Sequence, residues 1–204
     1  MILFDGCSFT YGDELENPEK DAFPHQIARM RQRDSKNSFI YKNIGECGKS
    51  NDGILRTTLE FCENNPVSLA IIQFTKFARR EVKKYGRNKY YNIIPENSDA
   101  GSLEYYEKFQ NVDDDVANFH KNKFILESYF KKRNIKHFFC CIQNMEKLPP
   151  YHLSTWYELC DKKPILNIRE LLGRKKANPL RYSGGHPSVK GHELIAKQIY
   201  ENIF

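Results

Sequence analysis

Two stretches at opposite ends of this chain carry side chains suited to nucleophilic catalysis. "FDGCSFTYGDEL", Phe4 to Leu15, sets Ser8 just behind an apolar run, after Gly6 and Cys7. "YSGGHPSVKGHELI", Tyr182 to Ile195, sets His186 behind a glycine pair and ahead of a helix-like segment. A serine hydroxyl is a weak nucleophile at neutral pH and needs a base, which is most often histidine. Gly6 allows a tight turn with no side chain in the way. Gly184 and Gly185 permit an unusual backbone path, and Pro187 and Ser188 at the helix start fix the direction of the imidazole. The chemistry this pair suggests is acyl transfer: Ser8 attacks a carbonyl, and His186 takes the hydroxyl proton and later returns it to the leaving group.

Two further polar clusters fit the same chemistry. "GECGKSN", Gly45 to Asn51, offers the Gly48 backbone N–H to a developing oxyanion, with Asn51 close by. "QFTKFARRE", Gln73 to Glu81, offers a second donor near Thr75. Arg79 and Glu81 read either as an ion pair or as contacts to an anionic or sugar substrate. Each residue also has a plainer reading. Ser8 can cap the segment that follows it, and His186 can be structural beside a helix start. His192 reads as a surface or packing residue. A metal site built on both histidines lacks a supporting carboxylate pattern, so no metal or cofactor is expected.

Positioning these groups requires their segments to end on one rim. "MILFD", "FIYKNIG", "VSLAIIQF", "IKHFFCCI" and "PILNI" read as strands. "VSLAIIQF" is continuously apolar, as a strand buried on both faces of a parallel sheet must be. Between them, "DAFPHQIARMRQR", "SNDGILRTTLEFCENN", "DDDVANFHKNKFILESYFKKRN" and "SVKGHELIAKQIYENIF" read as helices. The second has Ser50 or Asn51 as its N-cap and a face of Ile54, Leu55, Thr58, Leu59 and Cys62. The third carries Asp113 to Asp115 at its start and Lys131, Lys132 and Arg133 at its end, as the helix dipole prefers; these charges read as solvated helix ends. Alternation of strand and helix predicts an α/β fold with a parallel sheet covered on both faces. Ligands of such sheets bind beyond the carboxyl ends of the strands, where all four clusters fall. A polar insertion at about 76–112 and an irregular stretch from Gln143 to Lys163 interrupt one otherwise continuous domain, residues 1–204.

In this order the motifs resemble the SGNH (GDSL-type) hydrolases, in particular a divergent branch frequent in bacteriophages. "GCSFTYG" is similar to the family's first block, "NIGECGKSNDGI" to the second, and "SGGHPSVKGHELIA" to the last; "LAIIQFT" occupies the place of the third. The resemblance implies a three-layer α/β/α sandwich with a flavodoxin-like sheet, no metal, and ester hydrolysis through an acyl-serine intermediate. It implies Ser8 as nucleophile, His186 as base, and Gly48 as an oxyanion donor. The chain departs from the pattern at three places. Cys7 replaces an aspartate, Thr75 or Lys76 replaces an asparagine, and Ser183 stands where the histidine-orienting aspartate belongs. Loss of that carboxylate costs about 10,000-fold in the serine-protease template. A dyad helped by a backbone carbonyl, an acid from elsewhere in the chain, and an inactive relative kept for binding all stay open.

Composition narrows the setting. The 204 residues suffice for a substantial core, and 40% are hydrophobic. A net charge of +6 is a mild bias toward anionic partners. It falls short of a nucleic-acid footprint unless clustered on one face. The basic tracts "KFARREVKKYGRNK" and "GRKKANPLR" read as loops or helix surfaces. No run approaches a membrane span, no secretory leader pattern precedes the first strand, and the six cysteines contain no C-x-x-C pair. The expected setting is cytoplasmic (host cytoplasm for a phage-encoded chain), and the expected partner is a small-molecule or carbohydrate ester.

Overall fold

Short runs of apolar side chains form the core of a central sheet. The computed structural model describes residues 1–35, 40–83, 86, 90–95, 100–143, 155–161, 165–173 and 178–204. Its strands are β1 (Ile2–Asp5), β2 (Tyr41–Asn43), β3 (Leu69–Phe74), β4 (Arg80–Lys83), β5 (Tyr90–Ile93), β6 (Lys136–Cys141) and β7 (Leu166–Asn167). The helices are α1 (Ser8–Tyr11), α2 (Pro18–Asp21), α3 (Phe23–Ser35), α4 (Asn51–Asn64), α5 (Ala100–Phe109), α6 (Val112–Lys132), α7 (Thr155–Leu159), α8 (Ile168–Leu172) and α9 (Val189–Ile203). Five strands form one sheet in the order β2-β1-β3-β6-β7, with every pairing parallel. Counted within the sheet, that order is 2-1-3-4-5, the flavodoxin-like arrangement, with a topological switch point between β1 and β3.

Alternate residues of each strand face opposite layers. Ile2, Phe4, Ile71 and Cys140 pack with Phe23 and Ile27 of α3 and Ile195, Ala196 and Ile199 of α9. Ala70, Ile72, Phe74 and Cys141 pack with Ile54 of α4 and Val116, Phe119, Leu126 and Phe130 of α6. Two separate cores on the two faces of one sheet make a three-layer α/β/α sandwich. All six residues of β3 are buried, as a central parallel strand requires.

Capping follows the sequence. Ser50 caps α4 by accepting from the Gly53 N–H, and Asn111 caps α6 by accepting from the Asp113 and Asp114 N–H groups. Several expectations need correction. The 76–112 insertion is not all loop: it holds an antiparallel β4–β5 hairpin and the ten-residue α5. The basic tract from Lys76 likewise contains β4, so it is neither loop nor helix surface throughout. Asp115 is not a solvated helix end; it is buried and paired with Arg80 at 2.8 Å. The stretch from Gln143 to Lys163 contains α7, while 144–154 and 162–164 lie outside the described residues, as do 174–177 of "GRKKANPLR". Among the described residues, no helix is long and apolar enough to cross a membrane.

Candidate active site

The chain leaves β1 at Asp5 and turns straight into α1, whose first residue is Ser8. Gly6 is needed there, because a Cβ would meet Thr10 Oγ1 at 2.3 Å and the Gln73 side chain at 2.9 Å. Gln73, buried at the end of β3, gathers the turn. Its Oε1 accepts from the Cys7 N–H at 3.1 Å, the Cys7 thiol at 3.2 Å and the Thr10 hydroxyl at 3.0 Å. Cys7 is wholly buried, whereas Ser8 keeps 6% of its surface.

The last loop reaches the same place from the far end of the chain. Residues Leu180 to Ser188 double back on themselves: the Tyr182 N–H donates to the His186 carbonyl at 2.9 Å, and the Ser188 N–H to the Leu180 carbonyl at 2.9 Å. Ser188 then caps α9 through the Gly191 N–H. Pro187 therefore precedes the cap instead of beginning the helix. His186 Nε2 lies 3.0 Å from Ser8 Oγ, and the edge of the Phe9 ring packs on the imidazole with centroids 5.5 Å apart. The switch point of the sheet thus brings residues 178 positions apart within hydrogen-bond distance.

Two carboxylates flank the imidazole. Glu14 Oε2 is 3.6 Å from Nδ1, and Asp13 Oδ2 is 3.6 Å from Nε2. Nε2 already engages Ser8, whereas Nδ1 is buried and has no hydrogen-bond partner. Glu14 is therefore the acid that faces the open position. It reaches there from a left-handed backbone conformation, φ +67°. Gly184 makes the approach possible: a Cβ on it would lie 1.7 Å from Glu14 Oε1. Ser183, three residues before the histidine, has no such part. Glu14 is the residue that sequence reasoning missed. The only linear hint was an acidic pair, Asp13-Glu14, just after the Gly12 that ends α1.

The second motif packs against the first. The Glu46 N–H donates to the Gly6 carbonyl at 3.1 Å, and Gly48 adopts φ +76° beneath Ile94 of the insertion. Burial, with Asp13 beside it, pushes the Cys47 thiol up to about 11. Lys49 anchors the loop from below. Its buried ammonium donates to Asp5 Oδ1 at 2.7 Å, to the Ile44 carbonyl at 2.7 Å and to Thr57 Oγ1 at 3.0 Å. Asp5 also accepts from Thr57, Thr58 and the Gly6 N–H. Burial pushes the Asp5 carboxyl up, against the downward pull of Lys49 and the two threonines.

Asn51, buried at the start of α4, accepts the Thr75 N–H on Oδ1 at 2.9 Å, and its Nδ2 donor has no partner. Thr75 is wholly buried and its Oγ1 accepts from Arg79 Nη1 at 2.9 Å. Arg79 does not pair with Glu81, which instead holds Arg56 through two contacts of 2.8 Å. His192 is fully buried, stacked on Phe23, with Nδ1 accepting the Phe23 N–H; it is packing, not surface. Among the described residues no cluster of histidine, cysteine, aspartate or glutamate could hold a metal. A cavity of about 750 Å³ lies beside Tyr11, His25 and Gly45, and one of about 780 Å³ lies against α6 and β6. Neither is lined by Ser8 or His186, so chemistry and not volume marks this site.

No protein-family model and no curated protein matches the chain. Solved structures do. TesA superposes with a TM-score of 0.62 at 13% identity, covering 99% of this chain and 97% of its own. The psychrotrophic esterase EstA from Pseudoalteromonas sp. gives 0.59 at 13% identity, covering 99% and 95%. A putative lipolytic protein of the G-D-S-L family from Desulfitobacterium hafniense gives 0.58 at 13% identity, covering 98% and 97%. The fold of this chain is that of the G-D-S-L, or SGNH, hydrolases.

Proposed function

We propose that this chain is a serine-dependent ester hydrolase with Ser8 as nucleophile and His186 as base. The observation that carries the reading is the 3.0 Å contact between Ser8 Oγ and His186 Nε2. This is the distance that proton transfer needs. Ser8 Oγ attacks the acyl carbon while its proton passes to Nε2. The carbonyl π pair moves onto oxygen. When the tetrahedral adduct collapses, the bond to the alcohol oxygen breaks, and Nε2 hands that oxygen the proton. Water, deprotonated by the same nitrogen, then attacks the acyl carbon; the bond to Ser8 Oγ breaks, Oγ takes the proton back from Nε2, and the acid leaves.

Charge on the adduct would fall to three donors. The backbone N–H groups of Ser8 and Gly48 are two of them, and the unpartnered Asn51 Nδ2 is the third. Asn51 is preferred to Thr75 because its Nδ2 is a donor with no partner. Glu14, beside Nδ1, takes the orienting place that Ser183 leaves empty. It keeps the imidazole in the tautomer with the proton on Nδ1 and offsets the positive charge gained during attack.

A carbohydrate O-acetylesterase is the finer reading. It draws on a neighbour of the same fold, an acetyl xylan esterase with a TM-score of 0.56 and 14% identity. A gap between the serine and the histidine too wide even for a water bridge would have favoured a protein that only binds ligands on this scaffold. Hydrolysis of p-nitrophenyl acetate by wild type and Ser8→Ala tests the reading. The variant should lose at least about 1,000-fold in kcat, and equal rates would remove the nucleophile assignment.

A further inference from the structure

Besides the acidic flank at His186, the site has a basic one that ester hydrolysis alone does not use. Arg79 follows β3 and reaches back to Thr75 Oγ1. Arg181 folds onto the loop that carries the base, donating from Nε and Nη2 to the Gly185 carbonyl at 3.0 and 2.7 Å. Arg169 sits at the carboxyl end of β7, in α8. Elsewhere the chain pairs its partly buried arginines with acids: Arg56 with Glu81, and Arg80 with Asp115. Among the described residues Arg79, Arg169 and Arg181 have no carboxylate partner, and the Nε atoms of Arg79 and Arg169 are buried with nothing to donate to.

These cations also feel one another. Burial lowers Arg169's hold on its proton, and Arg181 and Arg79 beside it add to the effect. Lys76 is lowered by burial, Arg169 and Arg79. Cys7, the residue before the nucleophile, lies within the field of both Lys76 and Arg169. The three arginines, held together and partly dried with no carboxylate partner among the described residues, are a cost to the fold that a bound anion would relieve. Planar guanidinium groups with free N–H edges suit a carboxylate or phosphate in particular.

We propose that Arg79, Arg169 and Arg181 form an anion subsite beside Ser8, so that the substrate is an ester bearing a carboxylate or phosphate group on its acyl or alcohol part. The subsite deepens the hydrolase reading, and its binding half is independent of it. Three pairs of measurements test it. Mono-p-nitrophenyl succinate against p-nitrophenyl acetate places the anion on the acyl side; p-acetoxybenzoate against phenyl acetate places it on the alcohol side. Inorganic phosphate against sodium chloride of equal ionic strength, read as a Tm shift in Ser8→Ala, reports binding without turnover.

At least one anionic ester should be preferred about tenfold or more in kcat/KM. That preference should fall about tenfold in Arg169→Gln and be partly restored in Arg169→Lys. Phosphate should raise Tm saturably where chloride does not. Preference ratios near one in both ester pairs, with no phosphate-specific shift, overturn the subsite even if both neutral esters are hydrolysed. A phosphate-specific shift in a protein that cleaves none of the four esters keeps the subsite and removes the hydrolase reading. The wild-type ratios and the phosphate titration decide the matter even if the Arg169 variants do not fold.

Discussion

Glu14 and His186 face each other across 3.6 Å, carboxylate to Nδ1, and the contact exists because residue 184 has no side chain. At that distance the pair is not yet a hydrogen bond. Closing by less than about 1 Å makes it one, and catalytic contacts of unliganded sites commonly tighten in this way. Glu14→Gln should therefore lower kcat by about 100-fold or more, with KM changed less than about threefold, and Glu14→Asp should recover part of the loss. Gly184→Ala, which touches neither Ser8 nor His186, should reproduce the defect by displacing the carboxylate. Wild-type kcat in Glu14→Gln would show that the imidazole needs no acid.

Asn51 does two jobs that substitution can separate. Asn51→Asp keeps an oxygen to accept the Thr75 N–H but loses the Nδ2 donor, while Asn51→Ala loses both. If Nδ2 serves the oxyanion, Asn51→Asp should cut kcat by about 100- to 1,000-fold in protein still folded at the assay temperature, although the buried carboxylate also lowers Tm. Asn51→Ala should lower both quantities. A loss of Tm without a loss of kcat in Asn51→Asp would make the residue purely structural.

The buried Asp5–Lys49 pair ties the end of β1 to the loop that presents Gly48, with side-chain exposures of 0% and 3%. Lys49→Met removes the cation and strands a buried carboxylate, so urea unfolding should show a loss of about 3–5 kcal/mol. Asp5→Asn combined with Lys49→Met should lose less than the single variant. A double variant worse than Lys49→Met alone would contradict the stranded-charge account.

His192 gives stability a pH dependence of known sign. Burial above all, with the charge of His186 adding to it, holds its pKa at about 3 in the folded chain. The unfolded value is about 6.5. Between these values the unfolded chain binds the extra proton, so stability rises with pH through that window and is flat in this term above about pH 7. On acidification below about 6.5, wild type should lose up to about 1.4 kcal/mol per pH unit through this group. His192→Gln should be less stable at pH 7.5 yet show a slope shallower by about one proton between pH 6 and 4. Identical slopes would place the titration elsewhere.

Much of the scaffold was legible because long apolar runs have few alternatives. "VSLAIIQF" becomes β3, and "DDDVANFHKNKFILESYFKKRN" becomes α6 between an asparagine cap and a basic last turn. The four- and five-residue helices α1, α2, α7 and α8 were not legible, since pieces that short carry too little periodicity to register. The hairpin and α5 were hidden in a polar, tyrosine-rich segment with no clean alternation. At the candidate site, Ser8, His186, Gly48 and Asn51 stood out by residue type and motif order. Glu14 and Arg169 did not, because each owes its place to a tertiary contact. Glu14 needs the absence of a Cβ on a residue 170 positions away, and Arg169 needs neighbours from two other loops. The supposed Arg79–Glu81 pair failed because Arg79, just ahead of β4, turns back to Thr75, and α4 offered Glu81 the better-placed Arg56.

Reaction of the whole protein with a fluorophosphonate, followed by peptide mass mapping, tests the nucleophile most directly. One adduct is expected, on Ser8, abolished in Ser8→Ala and formed at least about 100-fold more slowly in His186→Ala. An unlabelled wild-type protein, or labelling that persists unchanged in Ser8→Ala, would contradict the nucleophile assignment.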